Sequence, residues 1–414
     1  MFPTKALISL VVLAASLSDV SATRFNGARD ASKVTLPFAT KFNSTGSVNI
    51  VAADRARAAA LKEHGLARAS GKAKRDGSFA VTNTAVTYTA SVGVGSPATD
   101  YTLLIDTGSS NTWIGADKKY TKTSTSSSTG DSVSVSYGSG KFSGKEYTDT
   151  VTLSSDLVIK KQSIGVASSA TGFDGVDGIL GIGPVALTEG TLGSSSSKKI
   201  PTVTDNLSSQ GTISSNSIGI YYAPTTSASD KNGELTFGGT DSDKYTGSIN
   251  YVPITSTSPA SEYWGIDQTV SYGSKTILDS TAGIVDTGTT LVLLATDAFD
   301  AYKSATGATE DSTTGLLTIS SAKYKALSNL DFKIGSETYS LSPNAQIWPR
   351  SLNSQIGGES GKIYLVVADL GSESGQGLDF IDGYTFLERY YSVFDTENSQ
   401  VGFAKTAQTD ATSN

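Results

Sequence analysis

From about residue 80 onward the chain is a succession of short runs in which apolar and polar positions alternate. Residues 86–94 and 264–271 have this period of two, and 101–105, 132–137, 145–153, 233–237 and 247–252 read as further strands, broken by stretches rich in Gly, Ser and Asn. Such alternation turns one face of a strand to a core and the other to water, so it predicts an all-β protein. Residues 95–98 read as a turn, and the glycine-rich stretch at 138–140 as the mobile tip of a hairpin. Further on, 283–286, 363–367, 377–386 and 391–403 complete the strand set, 296–306 predicts a short helix and 225–231 is the most linker-like stretch. The segment before residue 76 differs. Residues 53–68 form the strongest helix candidate, rich in Ala, Leu and Arg, and 33–43 predicts a strand.

Composition and charge sharpen this picture. There is no cysteine, which excludes disulfides, thiol nucleophiles and thiolate metal sites. The single histidine, His64, lies in the segment expected to be removed, so Ser-His-Asp and Cys-His mechanisms and HExxH zinc sites are excluded for the rest. Residues 1–22 read as a secretory signal, with Lys5 as the positive start, an apolar run at 6–15 and Val20-Ser21-Ala22 before the cut. Residues 23–75 then read as a pro-segment closed by the dibasic pair Lys74-Arg75. The first 75 residues hold twelve of the 32 basic residues but four of the 39 acidic ones, a net of +8 against −15 for the remainder. A cationic segment on an anionic body is held at neutral pH and loosened as carboxylates protonate, which predicts activation by acid. The acidic body argues against nucleic acid as a partner.

Carboxylates, tyrosines and lysines are the acid–base groups that remain, and two of the carboxylates stand in repeated surroundings. Leu104-Ile105-Asp106-Thr107-Gly108-Ser109 and Ile284-Val285-Asp286-Thr287-Gly288-Thr289 are each an apolar strand delivering one aspartate into a glycine turn. Their separation, nearly half the chain, fits two similar lobes, with the boundary placed near residue 250 (76–250 and 251–414). If the copies meet, Asp106 and Asp286 share one site and divide into an acid and a base. The glycine spacing at 172–183 has the wrong order for a dinucleotide fingerprint, no helix is expected after it, and Pro184 follows. Asp174 and Asp177 there read as turn residues, and no metal or cofactor is called for. Asn206-Leu207-Ser208 is an N-glycosylation sequon.

With Trp113 after the first triplet and Tyr137-Gly138-Ser139 between the two, the chain resembles the pepsin family of aspartic endopeptidases, secreted fungal members above all. The match runs through most of residues 80–405. The resemblance implies two β-lobes with a cleft between them, a water activated by Asp106 and Asp286, and a monomer acting on proteins or peptides. It also implies that Ser109 and Thr289 bond the outer carboxylate oxygens and that Thr107 and Thr287 bond across the lobes. Gly108 and Gly288 would leave room for substrate, and Tyr137, near Trp113, would close over it.

Two departures stand out. Ser139 replaces an aspartate that some fungal relatives use to accept lysine, which predicts preference for large apolar side chains. Asp382, in Ile381-Asp382-Gly383, occupies a usually apolar position, where it is protonated, hydrogen-bonded or turned outward. A catalytically inactive binding or inhibitor protein on the same fold is the alternative; a glycosidase, which also uses two carboxylates, lacks the expected sugar-stacking aromatics.

Overall fold

The computed structural model describes residues 34–42, 49–71, 86–137, 140–227 and 230–414. The signal at 1–22, the Lys74-Arg75 pair and two hairpin-tip residues, Gly138 and Ser139, lie outside the described residues.

The strand predicted at 33–43 is β1 (Thr35–Phe42), and the helix predicted at 53–68 is α1 (Ile50–Ala69), started by the Asn49 side chain accepting the Ala52 N–H. Then come β2 (Val86–Val94), β3 (Thr99–Asp106), β4 (Thr112–Ile114), β5 (Ser127–Ser136), β6 (Lys141–Ser154), β7 (Leu157–Thr171) and β8 (Gly178–Gly181). After α2 (Val203–Ser209) follow β9 (Ser217–Tyr222), β10 (Gly233–Phe237), β11 (Thr246–Pro253), β12 (Gly265–Tyr272), β13 (Lys275–Val285) and β14 (Val292–Leu294). The helix expected at 296–306 is α3 (Thr296–Thr306), ended by Gly307 in the left-handed conformation that lacks a penalty only without Cβ.

The second half repeats the first. β3 runs parallel to β8, β8 antiparallel to β4, and β4 parallel to β7. In the same way β13 runs parallel to the Phe380–Asp382 strand, that strand antiparallel to β14, and β14 parallel to Val367–Asp369. In each half the strand that ends at, or one residue before, the aspartate is therefore central to its sheet, which is why residues 103–105 and 283–285 are apolar without interruption. Leu103, Ile105, Ile284 and Val285 are all buried.

β1 joins the first lobe's sheet to a shared one. It pairs antiparallel with β10 on one side and β2 on the other. β9 in turn pairs with Tyr390–Asp395, so strands from 217–253 and from the C-terminal region form one continuous sheet. Phe38 of β1 packs edge-on against Tyr88 and Tyr222, at ring-centre distances of 5.4 and 4.9 Å.

Two expectations need correction. Residues 377–386 are strand only at Phe380–Asp382; Gly383 breaks the extended run and a helical turn, Tyr384–Leu387, follows. A single 3-10 turn, Val185–Thr188, does follow Pro184. Pro fixes a backbone angle that a helical turn accepts at its start. The turn is too short to frame a nucleotide, and Gly181 and Gly183 are there because a side chain would strike the backbone of residues 109–111. Asp177 behaves as a turn residue, accepting the Thr102 and Lys118 N–H groups at 2.8 and 2.9 Å. Among the described residues no group of acidic or histidine side chains is placed to hold a metal ion, and no helix is long and apolar enough to cross a membrane.

Candidate active site

The two glycine turns face each other at the seam of the duplicated halves. Thr107 N–H donates to Thr287 Oγ1 at 3.0 Å, and Thr287 N–H donates to Thr107 Oγ1 at 2.9 Å. Each hydroxyl then donates across the seam, Thr107 to the Val285 carbonyl at 3.2 Å and Thr287 to the Ile105 carbonyl at 3.1 Å. These four bonds are buried and fix both loops in one register. Thr287→Val keeps the shape but removes one donor and orphans the Thr107 N–H. It is expected to cost about 3 kcal/mol, read as a fall in Tm by calorimetry.

Each aspartate is held the same way. Asp106 Oδ1 accepts the Gly108 N–H at 2.9 Å and Oδ2 accepts the Ser109 hydroxyl at 2.5 Å. Asp286 Oδ1 accepts the Gly288 N–H at 3.0 Å and Oδ2 accepts the Thr289 hydroxyl at 2.6 Å. The glycines are required by closeness: a Cβ on Gly108 would lie 2.6 Å from Asp286 Oδ1, and one on Gly288 would lie 2.7 Å from Asp106 Oδ1. Ser109, Thr289, Thr107, Thr287, Gly108 and Gly288 are thus brought together with both aspartates.

A ninth residue in the site carries no motif. Arg57, in the middle of α1, reaches between the two carboxylates. Its Nη2 donates to Asp106 Oδ1 at 2.6 Å and to Asp286 Oδ1 at 2.9 Å, and its Nε donates to Asp286 Oδ2 at 2.6 Å. One nitrogen within hydrogen-bonding distance of both inner oxygens places the two acidic groups side by side. Both carboxylates are fully buried. Burial raises the Asp106 pKa, opposed by the Arg57 charge and reinforced by the charge on Asp286. Burial pushes Asp286 up as well, but the charge and hydrogen bonds of Arg57, with the bonds from Thr289 and Gly288, hold it below the usual carboxylate range. Arg57 makes two bonds to Asp286 and one to Asp106.

The rest of α1 is tied down on both sides of the cleft. Asp54 Oδ2 accepts the N–H groups of Thr290 and Leu291 at 3.0 and 2.8 Å, and burial pushes its pKa up to about 7. Tyr263 donates its hydroxyl to the Leu61 carbonyl at 2.7 Å, and Gly65 lies so close to Pro259 that a Cβ there would clash. Arg55 pairs with Asp369 at 3.2 Å, and Arg68 pairs with Glu262 at 3.2 Å and with Glu189 at 3.7 Å.

Tyr137 directly follows β5, with its N–H donating to the Gly140 carbonyl at 2.7 Å. Its ring stacks with Trp113 at 6.4 Å, Trp113 stacks on Phe142 at 4.2 Å, and Phe173 meets Trp113 and Tyr137 edge-on. These rings, with Ile179 and Leu192, form an apolar cluster separate from the main core. Burial, then the charge of Asp106, raises the Tyr137 hydroxyl well above its usual pKa. Asn206 lies elsewhere, on α2, with its Nδ2 donating to Gln162 Oε1 at 2.8 Å.

Arg57 and Asp54 were the functional residues that motif reading passed over. Their signal is an acid and a base three residues apart, hence on one helical face, in an otherwise basic segment.

Comparison with known proteins agrees with this geometry. Residues 87–406 match the family described as eukaryotic aspartyl protease. The chain is 67% identical over 339 residues to polyporopepsin of Irpex lacteus, covering 82% of this chain and 99% of that one. It is 32% identical to pepsin A of Sus scrofa, over 77% of this chain and 81% of the relative. The crystal structure of the Irpex lacteus aspartic proteinase superposes with a TM-score of 0.78 at 66% identity, covering 79% of this chain and 96% of that chain. The chain is a pepsin-like aspartic endopeptidase and belongs to the eukaryotic aspartyl protease family.

Proposed function

We propose that the chain is the precursor of a secreted enzyme that hydrolyses peptide bonds at acid pH with a water activated between Asp106 and Asp286. In this reading residues 1–22 direct secretion and 23–75 are an intramolecular inhibitor, cut away after Lys74-Arg75. Residues 76–250 and 251–414 are the two lobes of the active body, and Asn206 is a glycan acceptor. The observation that carries the reading is Arg57 Nη2 lying between the two inner oxygens, where the attacking water of an active enzyme belongs.

The chemistry follows from the paired acids. The ionised carboxylate takes a proton from the water as its oxygen attacks the scissile carbonyl carbon, and the protonated carboxyl donates to the carbonyl oxygen. Collapse of the tetrahedral diol breaks the C–N bond: the leaving nitrogen takes up a proton from one carboxyl while a hydroxyl of the diol returns one to the other, so the pair ends with the single proton it began with. The outer-oxygen bonds from Ser109 and Thr289 keep each carboxylate from rotating, so its inner oxygen stays aimed at the water. No cofactor is needed, because both proton transfers run through the carboxyl pair. Tyr137 closes over the substrate and excludes water. Trp113, Phe142 and Phe173 beside it favour large apolar side chains over lysine, as does Ser139, which lies outside the described residues.

Ion pairs with Asp369, Glu262 and Glu189 tie α1 to both sides of the cleft, which supports release by acid. The test is to follow loss of residues 23–75 from the purified full chain at about pH 4 and about pH 7, with no other protease present. Maturation is expected at the acid pH only; equal rates at both would remove the electrostatic latch. The mature product is then expected to cleave a denatured protein after or before Phe, Leu and Tyr in preference to Lys, read by mass spectrometry of the products.

A further inference from the structure

The duplication allows each half to be compared with the other, position by position, and one pair of positions differs in kind. In the first half Ile105, which precedes Asp106, is paired with Leu180 of β8, and β2 carries Val92 opposite Tyr101. In the second half Val285, which precedes Asp286, is paired with Asp382, and β12 carries Gln268 opposite Thr281. Leu180 and Val92 thus correspond to Asp382 and Gln268. All four are buried: an apolar pair in one lobe has become an acid and an amide in the other.

The acid and the amide are bonded. Gln268 Nε2 donates to Asp382 Oδ1 at 3.2 Å, which links β12 and the Phe380–Asp382 strand, the two neighbours of β13. Asp382 also receives the Asp286 N–H on its backbone carbonyl at 3.2 Å. Among the described residues two buried atoms of the pair have no partner, Asp382 Oδ2 and Gln268 Oε1. As a carboxylate, Asp382 has no proton to join them. As a carboxylic acid it has one, and a single proton satisfies both atoms at once.

We propose that Asp382 is a positioning residue for the Asp286 loop, acting as a carboxylic acid that accepts from Gln268 Nε2 and donates to Gln268 Oε1. The closed pair braces the strands on either side of the one that delivers Asp286, and an enzyme working in acid keeps it closed. Burial pushes the Asp382 pKa up to about 7, opposed by the Gln268 bond, and no charged side chain among the described residues contributes to it. Its kinetic consequence rests on the reading of Asp286 as half of the dyad; its structural consequence does not.

The sign with pH is fixed. Between the ordinary carboxyl value of 3.8 and about 7 the unfolded chain has lost this proton while the folded chain retains it, so stability falls with rising pH. Asp382→Asn forms the same two bonds with Gln268 at every pH. The Tm of the Asp382→Asn full chain minus that of the full chain without it, both carrying Asp106→Asn so that neither matures in acid, is therefore expected to grow between about pH 4 and about pH 7 and level off above. Buried Glu146 and Glu388, also pushed up to about 7, titrate alike in both proteins and cancel in this difference.

The kinetic arm uses the enzyme matured from each full chain at about pH 4. Gln268→Leu strands the acid and is expected to lower kcat about tenfold with KM little changed. The double change Asp382→Leu with Gln268→Val, which rebuilds the other lobe's pair, is expected to restore it. A Tm difference that does not change with pH, or a double variant no better than Gln268→Leu alone, would overturn the proposal. Should Asp382→Asn not fold, infrared difference spectra of wild type against the double variant at about pH 6 decide the same point. A carboxylic-acid C=O band belonging to wild type is expected there, and its absence refutes the pair. Infrared and Tm need no catalysis, so a wrong dyad would fail the kinetic arm and leave these intact.

Discussion

Asp106→Asn is expected to lower kcat on a denatured protein at about pH 4 by about four orders of magnitude, with KM within a few-fold of wild type. The substitution is nearly isosteric. An Asn oxygen still accepts the Gly108 N–H or the Ser109 hydroxyl, so the loop is held as before. What disappears is one of two ionisable groups, and with it the pairing of a base that takes the water's proton with an acid that polarises the carbonyl. Four orders of magnitude correspond to about 5.5 kcal/mol of transition-state stabilisation, reasonable for losing both roles together. Thermal stability of the mature variant, from which Arg57 has been cut away, is expected to stay level or rise, because one of two mutually repelling carboxyls has been neutralised. That combination separates lost chemistry from lost fold. An inactive binding protein would show no hydrolysis in the unsubstituted chain either, and a glycosidase would leave peptide bonds intact. Undiminished proteolysis in the variant would take Asp106 out of the mechanism.

The legible part of this protein was whatever follows from period and repetition. The strand at 86–94 shows its alternation directly, and the two Asp-Thr-Gly turns announce the duplication because each must contain the same glycine for the same reason. The strand predicted at 377–386 was overdrawn because Leu378, Phe380, Ile381, Tyr384 and Phe386 are all buried, and burial on every side hides whether a run is extended or helical. The sheet joining β1 to β2 and β10 was invisible for another reason. Pairing between distant residues, as between Thr35 and Thr236, depends on topology and not on local pattern. Arg57 was the largest omission. A helical arginine is usually a solvated one, and only the meeting of two distant turns beneath α1 gives it carboxylates to face. Asp382 lay between these extremes, since its oddity was readable while its partner, Gln268, was set by the register of β12 on β13.

Arg57→Ala in the full chain is expected to release activity that the unsubstituted chain withholds, by about a hundredfold at about pH 6 on a fluorogenic peptide. In the unsubstituted chain three charge-assisted bonds hold α1 over the dyad. Removing one partner of a buried ion pair costs about 3–5 kcal/mol, enough to raise the open population of the arm a hundredfold or more. The two acids answer acid differently. Asp106, raised by burial, takes up a proton first as pH falls and gives up its single bond to a charged partner. Asp286 is held low, so its contribution is present above the ordinary carboxyl value of 3.8 and is lost only as pH falls through its own lowered value. The unsubstituted arm therefore loosens first where Asp106 is protonated, while Asp286 keeps its bonds to Arg57 to lower pH. Without Arg57 neither protonation is needed, and the two carboxyls, now repelling each other, keep one shared proton and are ready to act. Arg57→Lys, which keeps the charge but not the planar fork, is expected to fall between the two. Changing Lys74 and Arg75 to Ala in each chain, with gels to show the chains intact, keeps cleavage from being mistaken for opening. An Arg57→Ala chain as silent as its parent at every pH would mean that the rest of α1, through Asp54, Leu61 and Arg68, closes the cleft unaided.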